Sequence, residues 1–337
     1  MRITRFLLTR IAGMIGVLLL VSLATFLIFY LLPADPARAE CGKLCLPGEL
    51  TQVRAFMGLN EPVWRQYLNF LGGIFTGRTY GAGANAIVCA APCLGYSFQQ
   101  NTTVLSLIGQ TLPVTASIAV GAAVLWLVAG VLAGVVSALR HGRALDRAVM
   151  AVAIVGVSAP SYLVGLLAIL LFGFKLNILP DSGYVPLQQN PGQWAFHLIL
   201  PWCVLAFISA AIYARLTRSQ MLDALGEDYV RTARAKGLRE ASVVGKHALR
   251  NVMIPVITLF GLDFGSLLGG AVITEKVFSM YGLGALLIGA VESTDLSVIS
   301  GVTLLAAVFV IVANFLVDVV YKLLDPRVLR ARAMHIG

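Results

Sequence analysis

Residues 226–255 read GEDYVRTARAKGLREASVVGKHALRNVMIP, a polar and basic stretch that lies between two long apolar runs. Six of its residues are lysine or arginine. In the whole chain of 337 residues, 58% are hydrophobic and only 12% are charged. A basic segment between apolar runs is typical of a cytoplasmic loop in a membrane protein. The composition, with a mean hydropathy of +0.86, excludes a soluble domain.

Six apolar runs predict transmembrane helices, because each has about the 20 residues that a helix needs to cross the bilayer. They are residues 11–32, 111–139, 148–174, 196–214, 252–274 and 298–317. Strands of a membrane barrel alternate in polarity and are about half this length. We therefore expect an all-α membrane protein with six transmembrane helices.

The net charge of +9 reflects topology rather than nucleic-acid binding. When the N-terminus is placed in the cytoplasm, most of the 25 lysines and arginines fall in segments on that side of the membrane. Both termini are then cytoplasmic. The sequence predicts a multi-pass protein of the bacterial cell membrane, with anionic lipid rather than nucleic acid as its charged partner.

The loops divide the chain into parts of unequal size. We expect an N-terminal transmembrane helix within residues 1–32, which is too long for a cleaved signal peptide, and an extracytoplasmic loop at 33–110. A core of five transmembrane helices follows at 111–322, with a cytoplasmic loop at 215–251, and 323–337 form a cytoplasmic tail. Residues 63–74 predict an amphipathic helix, which either lies on the membrane surface or over the pathway, or packs on neighbouring helices.

The large outer loop contains two C-x3-C pairs. Disulfides persist in oxidising compartments, so an even number of cysteines here favours bridges, with three possible connectivities. A four-thiolate metal site and free thiols remain alternatives, although C-x3-C is not the usual zinc spacing. The candidate disulfide residues are Cys41, Cys45, Cys89 and Cys93.

Asp263 is the only acidic residue inside the six apolar runs. An ionisable side chain in hydrocarbon is costly and usually faces a cavity or a partner. Asp263 is therefore a candidate for the translocation path, where it could meet a peptide ammonium group. The alternative is a structural carboxylate bonded to a hydroxyl group of a neighbouring helix.

The basic loop predicts a short helix over residues 229–236. Asp228 is placed to cap its start, and Gly237 is placed to end it in a left-handed conformation. A second helical segment is expected over residues 241–250. A short capped helix that projects from a membrane bundle suits a groove on a soluble partner, and equally suits an interface with lipid phosphates.

The basic loop resembles the coupling region of ABC importers, specifically the B-type permease of the dipeptide/oligopeptide/nickel group. The similarity lies in YVRTARAKGL at 229–238, HALRN at 247–251 and the Ile-Pro pair at 254–255. Further similar motifs are LLPADP at 31–36, GLNEPVWRQYLNFLGG at 58–73, ILPDSGY at 178–184 and EKVFSMYGLGALLIGA at 275–290. Residues 78–93 look like an insertion, so family expectations do not extend to them.

The resemblance implies a type I importer permease that forms half of a pathway for di- and oligopeptides. It also implies a second homologous permease, two cytoplasmic ATPase domains and an extracytoplasmic substrate-binding lipoprotein. ATP and magnesium would be bound by the ATPases, because this chain has no Walker A sequence and no paired metal-ligand spacing. The residues implied to contact the ATPase are Glu227, Asp228, Tyr229, Arg231, Thr232, Ala233, Arg234, Ala235, Lys236, Gly237 and Leu238.

Other functions remain open at the level of the sequence. The same architecture could import a nickel chelate, haem or another small solute. A channel or an ion-coupled transporter is a different class, for which several intramembrane charges would be expected. Asp263 is the one charged residue inside the six apolar runs, which argues against that class. We therefore expect a non-catalytic subunit of an ATP-driven importer.

Overall fold

A computed structural model describes residues 2–31, 37–38, 46–56, 58–80 and 86–324. It divides into two compact units. Unit 1 contains the described residues up to Thr115 together with 269–272 and 281–311, and unit 2 contains 116–268, 273–280 and the described residues from 312 onward. Helix predominates throughout the described residues, which confirms the all-α prediction.

The described residues of unit 1 begin with helices that are followed by two short hairpins. The helices are α1 (Arg2–Leu31), α2 (Pro47–Phe56) and α3 (Val63–Thr76), and the strands are β1 (Arg78–Tyr80), β2 (Ile87–Cys89), β3 (Tyr96–Ser97) and β4 (Thr102–Thr103). Strands β1 and β2 pair antiparallel, as do β3 and β4. The unit also contains the first part of α4 (Val104–Leu139), all of α12 (Leu283–Ser293) and the first part of α13 (Leu296–Leu324).

The predicted amphipathic helix is present as α3, and it packs on α1 and α13. Phe70 is buried with Phe26 and Leu304, and the Tyr67 hydroxyl lies 3.1 Å from the Ser22 hydroxyl. The opposite face remains exposed, with Trp64 at 64%. Of the two alternatives for this helix, the structure therefore favours packing on neighbouring helices.

Unit 2 consists mainly of long helices. Its helices, long and short, are the rest of α4, then α5 (Ala144–Ser158), α6 (Ser161–Ala168), α7 (Pro191–Gly226), α8 (Asp228–Ala235), α9 (Glu240–Ser242), α10 (Leu249–Leu268), most of α11 (Val272–Val277) and the end of α13. π-Helical turns lie at Ile169–Lys175 and Val243–Ala248. The core is a cluster in which Trp126 of α4 and Tyr213 of α7 pack with Val252 and Val256 of α10.

Five single helices and one bent pair have the length and hydropathy of membrane spans, which makes six when the pair counts as one span. The bent pair, α5 with α6 and its π turn, corrects the single run predicted at 148–174, because its two helices meet at 105°. Pro160 follows Ala159, whose backbone is extended. A proline disfavours the helical conformation in the residue before it and cannot donate a backbone hydrogen bond.

The fifth predicted span, residues 252–274, ends earlier than expected. Helix α10 ends at Leu268, and Gly270 has a φ of +138°, which side-chain-bearing residues rarely adopt. A Cβ atom at Gly270 would lie 2.8 Å from the backbone of Gly284. Two helices, α11 and α12, then lie largely between the fifth and sixth predicted spans, and Glu275 of α11 is buried.

Candidate functional site

Helix α8 follows α7 after one residue in an extended conformation. That residue, Glu227, has φ −70° and ψ 149° and is the N-cap of α8, without a side-chain capping bond. The prediction that Asp228 caps the helix is therefore wrong. Asp228 lies in the first turn instead, where a carboxylate favours the positive end of the helix dipole, and its carbonyl accepts a 2.9 Å hydrogen bond from the Thr232 hydroxyl.

The end of α8 agrees with the prediction for Gly237. The Gly237 amide donates to the Arg234 carbonyl at 2.9 Å, and the Leu238 amide donates to the Ala233 carbonyl at 3.4 Å. This pair of bonds is a Schellman motif, which requires a left-handed residue at the position of Gly237. Gly237 has a φ of +75°, so a glycine at this point ends the helix without strain.

One face of α8 is anchored in the core of unit 2. Val230 is 0% exposed and Ala233 is 5% exposed. Both belong to the cluster that contains Met221 and Ala224 from the end of α7. Two small apolar side chains thus fix an eight-residue helix against the helix that precedes it.

The remaining predicted coupling residues lie on the exposed side of this segment. Arg231 has a side chain that is 71% exposed, and its pair with Asp228 at 3.6 Å is open to solvent. Arg234 makes a bidentate pair with Glu240, at 2.7 and 3.2 Å, which raises the pKa of the Arg234 guanidinium. The other exposed members are Tyr229, Thr232, Ala235, Lys236, Gly237 and Leu238.

The segment after α8 is helical as predicted, but irregular. Residues 240–250 begin with α9, continue through the π turn Val243–Ala248 and join α10. Val243 and Ala248 are buried in the same cluster as α8. Asn251, further along, donates from Nδ2 to the Tyr229 hydroxyl at 3.0 Å. The return segment therefore holds α8 from a second side.

Asp263 lies on α10 and is partly buried. Its Oδ2 atom accepts a 2.9 Å hydrogen bond from the hydroxyl of Tyr213, which is buried. The Trp126 ring lies 6.3 Å from Tyr213 and 6.0 Å from Phe260, measured between centroids. The structure thus gives Asp263 a hydroxyl partner on a neighbouring helix, the hydroxyl of Tyr213 on α7.

A second polar cluster was not predicted from the sequence. Asp146, at the start of α5, is 3% exposed. Its carboxylate accepts hydrogen bonds from Arg218 on α7 and from Ser137 near the end of α4. In the sequence, the one indication of this cluster is Asp146 itself, an acidic residue that lies between Arg143 and Arg147 in the short segment between two apolar runs.

The structure tests half of the cysteine prediction. Cys89 and Cys93 form a disulfide, and both are buried with Tyr80 and Tyr96. This local bridge confirms that the outer loop contains a disulfide and leaves these two sulfurs unavailable to a four-thiolate metal site. Cys41 and Cys45 lie outside the described residues.

Comparisons with known proteins match nearly the whole chain. The family described as "Binding-protein-dependent transport system inner membrane component" matches residues 130–330. The family described as "Binding-prot-dependent transport system membrane comp, N-term" matches residues 3–119. Together they include both the region of α8 and the predicted outer loop.

Individual relatives align along almost their full lengths. A putative peptide transport system permease protein of Brucella abortus is 38% identical over 325 residues, which cover 96% of this chain and 99% of the relative. The di/tripeptide transport system permease protein DppB of Pseudomonas aeruginosa is 38% identical over 333 residues, with 93% and 95% covered. The glutathione transport system permease protein GsiC of Escherichia coli is 36% identical over 323 residues, with 96% and 98% covered.

These matches agree with the helical architecture and its five to six spans. The chain therefore belongs to the family of binding-protein-dependent transport system inner membrane components, as a B-type permease subunit of an ABC importer.

Proposed function

We propose that this chain forms one half of the translocation pathway of an ATP-driven importer of di- and oligopeptides, and that α8 docks on a cytoplasmic ATPase. The observation that carries the proposal is the division of α8 into two faces. Val230 and Ala233 anchor it in the core, while Arg231 and its exposed neighbours remain available to a partner. A rigidly held helix with an exposed basic face suits a groove on a soluble protein.

The proposed assembly contains several chains besides this one. A second homologous permease completes the pathway, two ATPase domains bind ATP and magnesium in the cytoplasm, and an extracytoplasmic lipoprotein delivers the substrate. In this arrangement both termini of the chain are cytoplasmic, and the chain itself binds no cofactor. ATP-driven closure of the ATPases moves α8 and shifts the permeases between inward-facing and outward-facing states.

Peptides are the proposed cargo, and the names of the relatives support this choice. One relative is named for di- and tripeptides, one for glutathione and one for peptides in general. Glutathione is itself a small peptide. A nickel chelate, haem or another small solute is the alternative cargo for the same architecture.

Within the pathway, Asp263 is the proposed contact for a substrate ammonium group. A carboxylate has about four acceptor sites, so the hydrogen bond from Tyr213 leaves capacity for a second donor. We expect Asp263→Asn to reduce uptake of peptides with a free N-terminus more than uptake of the same peptides after N-acetylation. Equal reductions for both would assign Asp263 a structural role instead.

The docking proposal is tested by reversing one exposed charge. Arg231→Glu changes a side chain that is mostly solvated, so the permease fold should be unaffected. An unfavourable charge at an interface weakens binding strongly, and we expect at least about tenfold less ATPase to co-purify with the variant. Arg147→Glu is the matched control, because Arg147 is also exposed but lies outside α8.

Uptake by the complete importer in vesicles then identifies the cargo. ATP-dependent accumulation of labelled dipeptides, with no accumulation of nickel chelate or haem, would support the proposal. Undiminished ATPase binding by Arg231→Glu would refute the docking assignment. Solute movement without ATP would place the chain among channels or ion-coupled transporters.

A further inference from the structure

We propose that Asp146 and Arg218 form a positioning pair, which transmits the movement of α8 to the hairpin of α4 and α5. The inference rests on the proposed docking of α8, and it concerns residues that lie outside the coupling motif. It assigns a role to an ion pair between a buried carboxylate and a partly exposed guanidinium, which the family resemblance and the relatives leave unexplained.

The pair is the centre of a cluster that joins three segments of unit 2. Arg218 Nε donates to Asp146 Oδ1 at 2.6 Å, and Arg218 Nη2 donates to Oδ2 at 2.9 Å. Ser137 donates to Oδ1 at 2.5 Å, and the Gly142 amide donates to Oδ2 at 2.9 Å. Arg218 Nη2 also donates to His141 Nδ1 at 2.9 Å. One carboxylate thus holds the end of α4, the turn after it and the side of α7.

Close helix packing extends the contact along α7. A Cβ atom at Gly134 of α4 would lie 2.6 Å from Thr217 Cβ, and one at Gly130 would lie 2.6 Å from Tyr213 Cβ. On α5, a Cβ atom at Gly156 would lie 3.0 Å from Ala211 Cβ. Small residues allow helices in membranes to approach this closely. Helices α4 and α5 therefore both rest directly on α7, and packed interfaces of this kind move as units rather than deforming.

The position of Arg218 connects this three-helix unit to α8. Arg218 lies on α7 shortly before the last turns of that helix, where Met221 and Ala224 pack with Val230 and Ala233 of α8. A displacement of α8 is therefore passed to the end of α7 and, through the bidentate pair, to Asp146. The route consists of the packed side chains between α8 and α7, the helical backbone of α7 and the hydrogen bonds of the pair, and networks of this kind carry energetic coupling between sites.

The chemistry of the pair also points to positioning rather than to stability. Desolvation of two charges offsets much of their attraction, so an apolar pair of similar volume is often as stable as a buried ion pair. A bidentate guanidinium–carboxylate pair differs from an apolar pair in its directional geometry. That geometry fixes the rotation of α7 relative to the hairpin, which apolar contacts alone would leave less well defined.

The test replaces both charges at once, because removal of Arg218 alone would leave the buried Asp146 carboxylate without its counter-charge. In the complete importer, we expect Asp146→Leu combined with Arg218→Met to retain ATPase binding and ATP hydrolysis. Peptide uptake per ATP hydrolysed should fall by about tenfold, within the usual range of coupling between sites. Arg147→Met is the control, since it removes an exposed arginine beside Asp146 and should leave the ratio unchanged. An unchanged ratio in the double variant would overturn the proposal.

A distance measurement keeps the proposal testable if the double variant fails to assemble. Spin labels on non-natural amino acids at exposed positions 143 and 219 report on the hairpin and on α7. We expect the same distance between them in the nucleotide-free and ATP-bound importer, because the pair joins these segments rigidly. A change of distance between the two states would overturn the proposal. Failure of the unaltered chain to bind any ATPase would instead refute the proposed function.

Discussion

The substitution Ala233→Glu tests whether α8 is held by its two buried side chains. Burial of a valine side chain contributes about 1.5–3 kcal/mol, and each buried methyl group about 0.8 kcal/mol. Val230 and Ala233, both in the core cluster, therefore anchor α8 by roughly 2–4 kcal/mol. A carboxylate at the position of Ala233 costs several kcal/mol to bury even after relaxation, which is enough to release the helix.

Amide hydrogen exchange on the purified permease measures this release directly. Since about 1.4 kcal/mol corresponds to a factor of ten, loss of the anchor should speed exchange in α8 by roughly 30- to 700-fold. Binding of the ATPase should fall in parallel, because a detached helix no longer presents a defined surface.

Ala235→Glu is the matched structural control. Ala235 is the same residue type two positions later in α8, but it is exposed, so its substitution should leave exchange in α8 unchanged. Slow exchange in Ala233→Glu, indistinguishable from that of Ala235→Glu, would refute the inference that burial of this face holds the helix.

Three further predictions concern stability. Gly237→Val should destabilise the end of α8 by about 1–2 kcal/mol, because the backbone of residue 237 is left-handed. Gly237→Asn should destabilise it less, and hydrogen exchange of the α8 amides distinguishes the two variants. Gly134→Val should prevent stable packing, since its Cβ atom would lie 2.6 Å from a side chain of α7. A Cβ atom at Gly109 would have no atom within 4 Å, so Gly109→Ala should keep or raise the unfolding temperature in detergent. Replacing Cys89 and Cys93 by serine should lower the free energy of unfolding by about 2 kcal/mol, the value that the chain-entropy model gives for so short a loop. Faster amide exchange in β1 and β2 would reveal this loss, and unchanged exchange would contradict it.

Much of the architecture could be predicted from the sequence because it depends on local composition. A membrane span needs only enough consecutive apolar residues, whatever its neighbours are. The end of α8 at Gly237 was predictable for a similar reason, since a left-handed residue after a helix depends on that residue alone. The cap at Asp228 was wrong by one position, because Glu227 takes the extended conformation that precedes the helix.

Other features depend on where distant segments meet. Asp146 and Arg218 are 72 residues apart, and no local pattern indicates that the two side chains lie together. The same is true of Tyr213 and Asp263, which are 50 residues apart. Sequence periodicity identifies which face of a helix is apolar, but a polar pair forms only where the packing brings two faces into contact.

The sequence by itself determined that this chain is a helical membrane protein with a basic loop, because hydropathy and charge add residue by residue. The tertiary structure decided how α10 ends, how α11 and α12 fill the segment between the last two predicted spans, and which buried carboxylate Arg218 meets. These outcomes depend on close backbone approach, as at Gly270 and Gly284, and on the high cost of leaving a buried polar group without a partner. Both are properties of the packed molecule, so no single segment of the chain contains them.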